Sequence, residues 1–247
     1  MNRLLVEYPN VIDEKLCDKL IAFCEKSISD ETAWKGKLGD RLEVSEKNSW
    51  DCSFEKSGDE STVGFLYEII KSHFENFISD FHRNNKRKVE WPDWDYNYKE
   101  WYNCHPQVIT SDLQVQKYDC KDSGGYHRWH CETAMNDELT QRFMVYLFYL
   151  NDVEEGGETS FYYLDKDVKP EMGKLVIFPA FFPYVHKGCI PVSNDKYIMT
   201  GWLGWQTESN AQITKFMTEA DFPEEIKNSF LGRVQPMAAK KQLGKMQ

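Results

Sequence analysis

The hydrophobic pattern changes period near residue 108. Before that point apolar residues recur at helical steps. In "DEKLCDKLIAFCEKSI" (13–28) Leu16, Leu20, Phe23 and Ser27 share one side, with Ile12 and Asp13 placed as hydrophobic staple and N-cap. In "TVGFLYEIIKSHFENFISDFH" (62–82) Phe65, Ile69, His73 or Phe74, Phe77, Ile78 and Phe81 recur at three- and four-residue steps, predicting a long amphipathic helix. His73 sits inside that rhythm and reads as a packed histidine, not a ligand. His82 and the "RNNKRK" after it (83–88) read as a solvated helix end, where cations suit the helix dipole. The first hundred residues thus read as helical support.

After residue 108 the period falls to two. "DLQVQKY" (112–118) puts Leu113 and Val115 on one face and Gln114, Gln116 and Tyr118 on the other. "RFMVYLFYL" (142–150) is a continuous apolar run, as in a strand buried on both faces. "NDVEEGGET" (151–159) is turn chemistry. "TSFYYL" (159–164), "KLVIFP" (174–179), "YVHKGCIPV" (184–192) and "KYIMTGWLGW" (196–205) then read as short strands parted by Pro, Gly, Asn and Asp. Such spacing predicts a sandwich or barrel, cupin-like jelly rolls among them. The aromatic-rich "WPDWDYNYKEWYNCHP" (91–106) is either a platform for a substrate, since proline rings stack on aromatic faces, or a packed insertion. The tail, 208–247, holds one short helical candidate and a basic end.

Composition narrows the function classes. At 247 residues, 41% hydrophobic and 28% charged, the chain can bury a sizeable core. A net charge of −10 argues against general nucleic-acid binding, which needs clustered cations on phosphates, and leaves room only for a local basic groove. The run "FMVYLFYL" (143–150) falls far short of the roughly 20 apolar residues of a membrane helix, and the N-terminus shows no secretory pattern. Seven scattered cysteines with no CxxC pair read as free thiols in a reducing, intracellular setting.

Candidate chemistry centres on "GGYHRWHCE" (124–132). As a helix it would make His127 and His130 neighbours, but the glycine pair and the alternating strand upstream favour an extended segment. Period two then joins His130 to Glu132 and sends Cys131 to the other face, with His127 off the pair's side. Of the histidines at 73, 82, 105 and 186, only His186 lies in the strand region. Two histidines and one carboxylate with open positions form the facial triad of non-haem Fe(II) oxygenases. Lys196 shares a strand face with Ile198, Thr200 and Trp202. A lysine there is costly unless it meets an anion or reaches solvent.

The ordered segments "LQVQKY", "GGYHRWHCE", "RFMVYLFYLNDVEEGGETSF", "VKPEMGKLVIFP" and "HKGCIPVSNDKYIMTGWL" together span about 113–203. In that order and spacing they resemble the Fe(II)- and 2-oxoglutarate-dependent dioxygenases of the prolyl 4-hydroxylase type. The resemblance implies a mainly β fold with supporting α: a double-stranded β-helix (jelly-roll, cupin-like) core with N-terminal helices packed on one sheet. It divides a single domain, 1–247, into helical support and insertion (1–107), catalytic core (108–207) and C-terminal extension (208–247). It implies that His130, Glu132 and His186 hold Fe(II). Lys196 would pair with the distal carboxylate of 2-oxoglutarate. Tyr149 and Tyr118 match tyrosines that hydrogen-bond the co-substrate, and Thr200 and Trp202 would line the same pocket. The implied reaction uses O2, with L-ascorbate as rescuing reductant, and hydroxylates a C–H bond, giving succinate and CO2. The expected substrate is a peptidyl proline. A free amino acid, small metabolite or nucleobase is the alternative, and a catalytically silent jelly-roll binding module the third reading. The acidic ligand is Glu where the family usually has Asp, and His127 stands where many prolyl hydroxylases have Tyr. Halogenating relatives lack the acidic ligand, so Glu132 implies hydroxylation.

Overall fold

Leu113 and Val115 are fully buried against helices, while Gln114, Gln116 and Tyr118 face a cavity, and this split organises the molecule. The computed structural model describes residues 4–37, 42–85, 107–109, 113–133 and 142–205. The aromatic-rich stretch 91–106 and the extension 208–247 lie outside the described residues, as does the side chain of His82. In chain order the elements are β1 (Val6–Tyr8), α1 (Glu14–Ser29), β2 (Trp34–Lys35), β3 (Lys47–Asn48), β4 (Trp50–Ser53), α2 (Glu60–Asn85), β5 (Gln107–Ile109), β6 (Gln114–Tyr118), β7 (Gly125–His130) and β8 (Arg142–Tyr149). There follow β9 (Thr159–Phe161), β10 (Lys166–Val168), β11 (Leu175–Pro179), β12 (His186–Gly188) and β13 (Lys196–Trp205).

These strands build the two antiparallel sheets of a double-stranded β-helix. The larger runs β1-β11-β8-β13-β6-β4-β2, with β5 also on β13; the smaller runs β10-β9-β12-β7-β3. Between the sheets lies one apolar cluster, which joins Val145, Leu147 and Ile198 of the large sheet to Phe161 and Val168 of the small one. A second cluster fills the opposite face of the large sheet, where the two helices pack. The ten-residue β13 is the spine, flanked by β8 on one edge and by β6 and β5 on the other. Among the described residues no helix is long and apolar enough to cross a membrane.

The helices form as expected, but their buried faces are rotated. Asp13 caps α1, accepting the Leu16 N–H at 2.9 Å. Its buried stripe is Cys17, Leu20, Cys24 and Ser27, steps of three and four, with Leu16 and Phe23 at its margin. On α2 the buried face is Val63, Leu66, Tyr67, Ile70, Phe74 and Phe77. Phe65, expected on that face, is 55% exposed, because the stripe that meets the sheet begins two residues earlier, at Val63. His73 is half-buried, its Nδ1 2.8 Å from the Ile69 carbonyl and its ring against Tyr8, as a packed histidine.

Two further corrections concern strands. The first hundred residues are not only helical: β1 and β4 extend the large sheet and β3 the small one. Short two- to four-residue strands carry too little periodicity to stand out between helices. The expected strand 159–164 stops at Phe161, where Tyr162–Leu164 turn into a short 3-10 helix.

Phe74 is 1% exposed and meets Phe143 edge-to-face at 5.4 Å. Phe74→Ala should therefore lower the unfolding free energy by about 3–5 kcal/mol in urea denaturation. Phe65→Ala should change it by no more than about 0.5 kcal/mol. Equal costs would mean that the helix face is misassigned.

Candidate active site

Strand pairing creates the central geometry. β7 and β12 run antiparallel with His130 directly opposite His186, and their ring centroids stand 4.3 Å apart. Each ring is held by its inner nitrogen: His130 Nδ1 is 2.8 Å from the Arg128 carbonyl and His186 Nδ1 3.0 Å from the Tyr184 carbonyl. A carbonyl only accepts, so Nδ1 carries the hydrogen and Nε2 of the neutral ring offers a lone pair. Glu132 Oε1 lies 3.2 Å from His130 Nε2 and 3.5 Å from His186 Nε2.

Glu132 does not arrive by strand alternation. β7 ends at His130, and the chain then leaves the sheet, with the Glu132 N–H donating to the Ala180 carbonyl at 2.9 Å. Cys131 is consequently not carried to the opposite side. It lines the same cavity without joining the trio of potential ligands. His127, off the pair's side as expected, is outside the cavity lining, its Nε2 3.2 Å from the Ser123 carbonyl.

Burial would raise the Glu132 carboxyl, but hydrogen bonds and charge from His130 and His186 outweigh it and hold the group well below the usual carboxylate range. Burial, helped by the nearby His130, pushes the His186 imidazole below its ordinary value. His130 Nε2, His186 Nε2 and Glu132 Oε1 thus converge on one point, where a divalent cation would take the place of the imidazole–carboxylate contacts. The three ligand atoms lie within 4.8 Å of one another. An octahedral ion with ligands at about 2.1 Å sets neighbouring ligand atoms about 3 Å apart, close to the spacing seen. The residues fit a divalent metal with nitrogen and oxygen preferences, such as Fe(II). A second group, Asp119, Cys120 and Asp195, also gathers potential ligands, but Lys117 already stands 3.2 Å from Asp195.

Two neighbours of the trio had weak signals in the sequence. Tyr126, four residues before His130 and on its face, stacks on the His130 ring at 3.7 Å with 16° between planes. Arg142, a charge at the head of an apolar strand, places Nη1 3.5 Å from Glu132 Oε2 while its guanidinium lies 3.6 Å over the Trp202 ring. Glu132 therefore turns one oxygen to the histidines and the other to Arg142.

The trio and Lys196 line one cavity of about 460 Å³, together with Tyr118, Thr200 and Trp202. Lys196 is 2% exposed, and its single hydrogen bond among the described residues goes to the Gly157 carbonyl at 2.6 Å. Burial pushes its ammonium down to about 8, only partly offset by Cys189 and Glu158. The rings of Tyr118 and Tyr149 flank it at 5.4 and 5.5 Å. The "GGE" turn aims that carbonyl: Gly156 and Gly157 both hold φ +76°, and a Cβ on Gly156 would fall 2.3 Å from the Ile190 carbonyl oxygen.

Of the remaining expected contacts, Tyr118 donates its hydroxyl to Gln116 at 2.7 Å, and Thr200 donates to the Tyr146 carbonyl at 3.0 Å. Tyr149 does not line the cavity. It is fully buried behind Lys196 with its hydroxyl 2.7 Å from Thr159, which does line it. Lys47 and Asp51, on strands too short to show a period, add a buried polar group to the cavity wall and meet at 2.9 Å.

Residues 113–204 match the model of the 2OG-Fe(II) oxygenase superfamily. The chain is 30% identical over 114 residues to prolyl 4-hydroxylase 13 of Arabidopsis thaliana, covering 37% of this chain and 40% of that protein. It therefore spans about two fifths of that relative's length. Its fold is similar to a prolyl hydroxylase of Trichoplax adhaerens, solved with a hypoxia inducible factor oxygen degradation domain peptide fragment, at TM-score 0.58 and 18% identity, over 85% of this chain and 87% of that one. It is also similar to a Pseudomonas putida prolyl-4-hydroxylase at TM-score 0.55 and 15% identity, over 81% and 92% of the two chains.

A buried ammonium with so few partners is directly measurable. In protein labelled at lysine side chains, NMR titration should show one lysine losing its proton near pH 8, and that signal should vanish in Lys196→Arg. Titration of every lysine above pH 10 would contradict this environment.

Proposed function

We propose that the chain, whose residues 113–204 match the model of the 2OG-Fe(II) oxygenase superfamily, is an Fe(II)- and 2-oxoglutarate-dependent dioxygenase that hydroxylates a peptidyl proline. The supporting observation is one cavity holding both poles that such a reaction needs. At one pole two histidines and a carboxylate converge within 4.8 Å; at the other Lys196 is buried with no carboxylate partner among the described residues.

In this reading His130 and His186 hold the metal through Nε2 and Glu132 through Oε1. Arg142 engages Oε2 and so keeps the carboxylate turned to one mode of binding. Tyr126 and Phe178 restrain the two imidazoles, one stacked on His130 and the other 4.9 Å edge-on to His186. Lys196 takes the far carboxylate of 2-oxoglutarate, with Tyr118 and Thr200 beside it and Tyr149 behind. Val145, Leu147 and Ile198 make the wall between apolar, which keeps water out and strengthens both charge pairings. When bound, Fe(II) with 2-oxoglutarate and O2 supplies the oxidising power for an unactivated C–H bond, with succinate and CO2 as co-products and L-ascorbate as the rescuing reductant. Proline is favoured because the curated relative is a prolyl 4-hydroxylase and because aromatic faces, Tyr126 and Trp202, line the cavity.

Succinate release from 2-oxoglutarate in air, with Fe(II) and a panel of proline-containing peptides, tests this reading. Turnover should be present in the wild type and lost in His130→Ala and His186→Ala. His127→Ala should keep Fe(II) affinity within about twofold, since its ring turns to Ser123; a loss comparable to that of His130→Ala would mean that the wrong histidine is assigned. No turnover and no Fe(II) binding by the wild type would overturn the enzyme reading.

The pH dependence has a defined sign. Lys196 is cationic below about pH 8 and neutral above it, so 2-oxoglutarate should bind best below pH 8 and weaken as the pH rises through that value. Lys196→Arg, charged throughout, should remove the dependence. A 2-oxoglutarate requirement in Lys196→Ala equal to that of the wild type would take Lys196 out of this role.

A further inference from the structure

The cavity wall carries a second lysine whose situation is the reverse of Lys196. Lys47 Nζ donates to Asp51 Oδ2 at 2.9 Å, and the two side chains are only 8% and 1% exposed. Ser49 donates to Asp51 Oδ1 at 2.7 Å, and the amides of Gln114 and Gln116 each reach Oδ2 at 3.3 Å. The carboxylate is saturated with donors. That fixes Gln116: its NH2 faces Asp51, so its carbonyl faces Tyr118 and accepts that hydroxyl. Tyr118, Gln116, Asp51 and Lys47 are thus one ordered relay along β6, β4 and β3.

What this group leaves for the cavity is donors without net charge. Lys47 spends one of its three N–H groups on Asp51, the only side-chain acceptor it has among the described residues, and the Gln114 amide keeps a second hydrogen. The pair is neutral as a unit, whereas Lys196 is an uncompensated cation. Lys47 Nζ also stands 5.6 Å from the Tyr126 ring, the ring that stacks on His130, so the pole lies one aromatic ring from the candidate metal ligands. A buried ion pair is a poor stabiliser compared with apolar packing, so its presence on a cavity wall points to recognition.

We propose that Lys47, its charge matched by Asp51 and joined by Gln114, is a substrate subsite for an uncharged hydrogen-bond acceptor, the backbone carbonyl of a peptide, and that it selects peptidyl substrates over free amino acids. This rests on the oxygenase reading above. A carbonyl accepts from Lys47 and Gln114 at no charge cost. The carboxylate of a free amino acid would add a net negative charge to a buried pair that is already balanced, and the pair has no spare positive charge to offset its lost hydration.

The test uses the full chain loaded with Fe(II) and 2-oxoglutarate without oxygen, with binding read from the fluorescence of the cavity tryptophans, Trp34 and Trp202. The probes are a capped Ala-Pro-Ala peptide and free L-proline. Lys47→Met alone would strand Asp51, so Lys47→Met is combined with Asp51→Asn. The double variant should bind the capped peptide about tenfold more weakly, the loss of roughly one good hydrogen bond, while its 2-oxoglutarate affinity stays within about twofold. Asp51→Asn alone leaves the cation unmatched and should tighten free proline about fivefold relative to the capped peptide. Wild-type affinity of the double variant for the capped peptide overturns this inference alone. Loss of 2-oxoglutarate affinity in step with the peptide overturns the assignment of a separate subsite. Failure of the wild type to bind the capped peptide while still binding 2-oxoglutarate overturns the peptidyl reading, and this inference with it.

Discussion

Three potential ligand atoms meeting at one point, His130 Nε2, His186 Nε2 and Glu132 Oε1, are the constraint around which the molecule is arranged. The carboxylate oxygen stands 3.2 and 3.5 Å from the two nitrogens, spacings that suit direct imidazole–carboxylate contact and also the neighbouring ligands of one metal ion. Antiparallel pairing of β7 with β12 fixes the two histidines, and carbonyls of Arg128 and Tyr184 fix their tautomers. The third donor needs a break in the same strand, because continued pairing past His130 would prevent the Glu132 N–H from reaching Ala180. The small sheet therefore supplies both regular structure and its interruption at the same place.

The large sheet supplies the opposite wall, and its amphipathic strands explain how a polar cavity survives inside a β fold. On β6 and β13 one face is apolar and bears the helices, while the other presents Gln114, Gln116, Tyr118, Lys196 and Thr200. Each polar side chain on that wall has a defined partner. Asp51 collects Lys47 and two glutamines, Gly157 takes Lys196, and the Tyr146 carbonyl takes Thr200. Two buried lysines thus have different electrostatic characters a short way apart. Only Lys196 keeps an unmatched charge, which is what binding an anion in a dry site requires.

Much of this was legible along the chain. The split of Leu113 and Val115 from the glutamines beside them, and the turn at "GGE", are local patterns with local causes, and both appear in the fold. His130 and Glu132 stood out by their period-two spacing, His186 as the histidine lying in the strand region, and Lys196 as a charge in an otherwise apolar strand. The approach to Glu132 was misread, since a strand end is set by tertiary hydrogen bonds and leaves no mark on periodicity. Tyr149 lies behind the cavity wall because its hydroxyl meets Thr159 across the two sheets, a contact ten residues away that no pattern encodes. Lys47 and Asp51 were invisible for a similar reason: strands of two and four residues carry no period, and the glutamines that complete the group lie 63 and 65 positions beyond Asp51.

Anomalous diffraction from crystals grown with Fe(II) and 2-oxoglutarate under nitrogen measures the central claim most directly. The account predicts a single iron peak bonded to His130 Nε2, His186 Nε2 and one oxygen of Glu132, with a carboxylate on Lys196 in the same cavity. Iron bound instead at Asp119, Cys120 and Asp195, or no iron peak at the histidine pair, would contradict it.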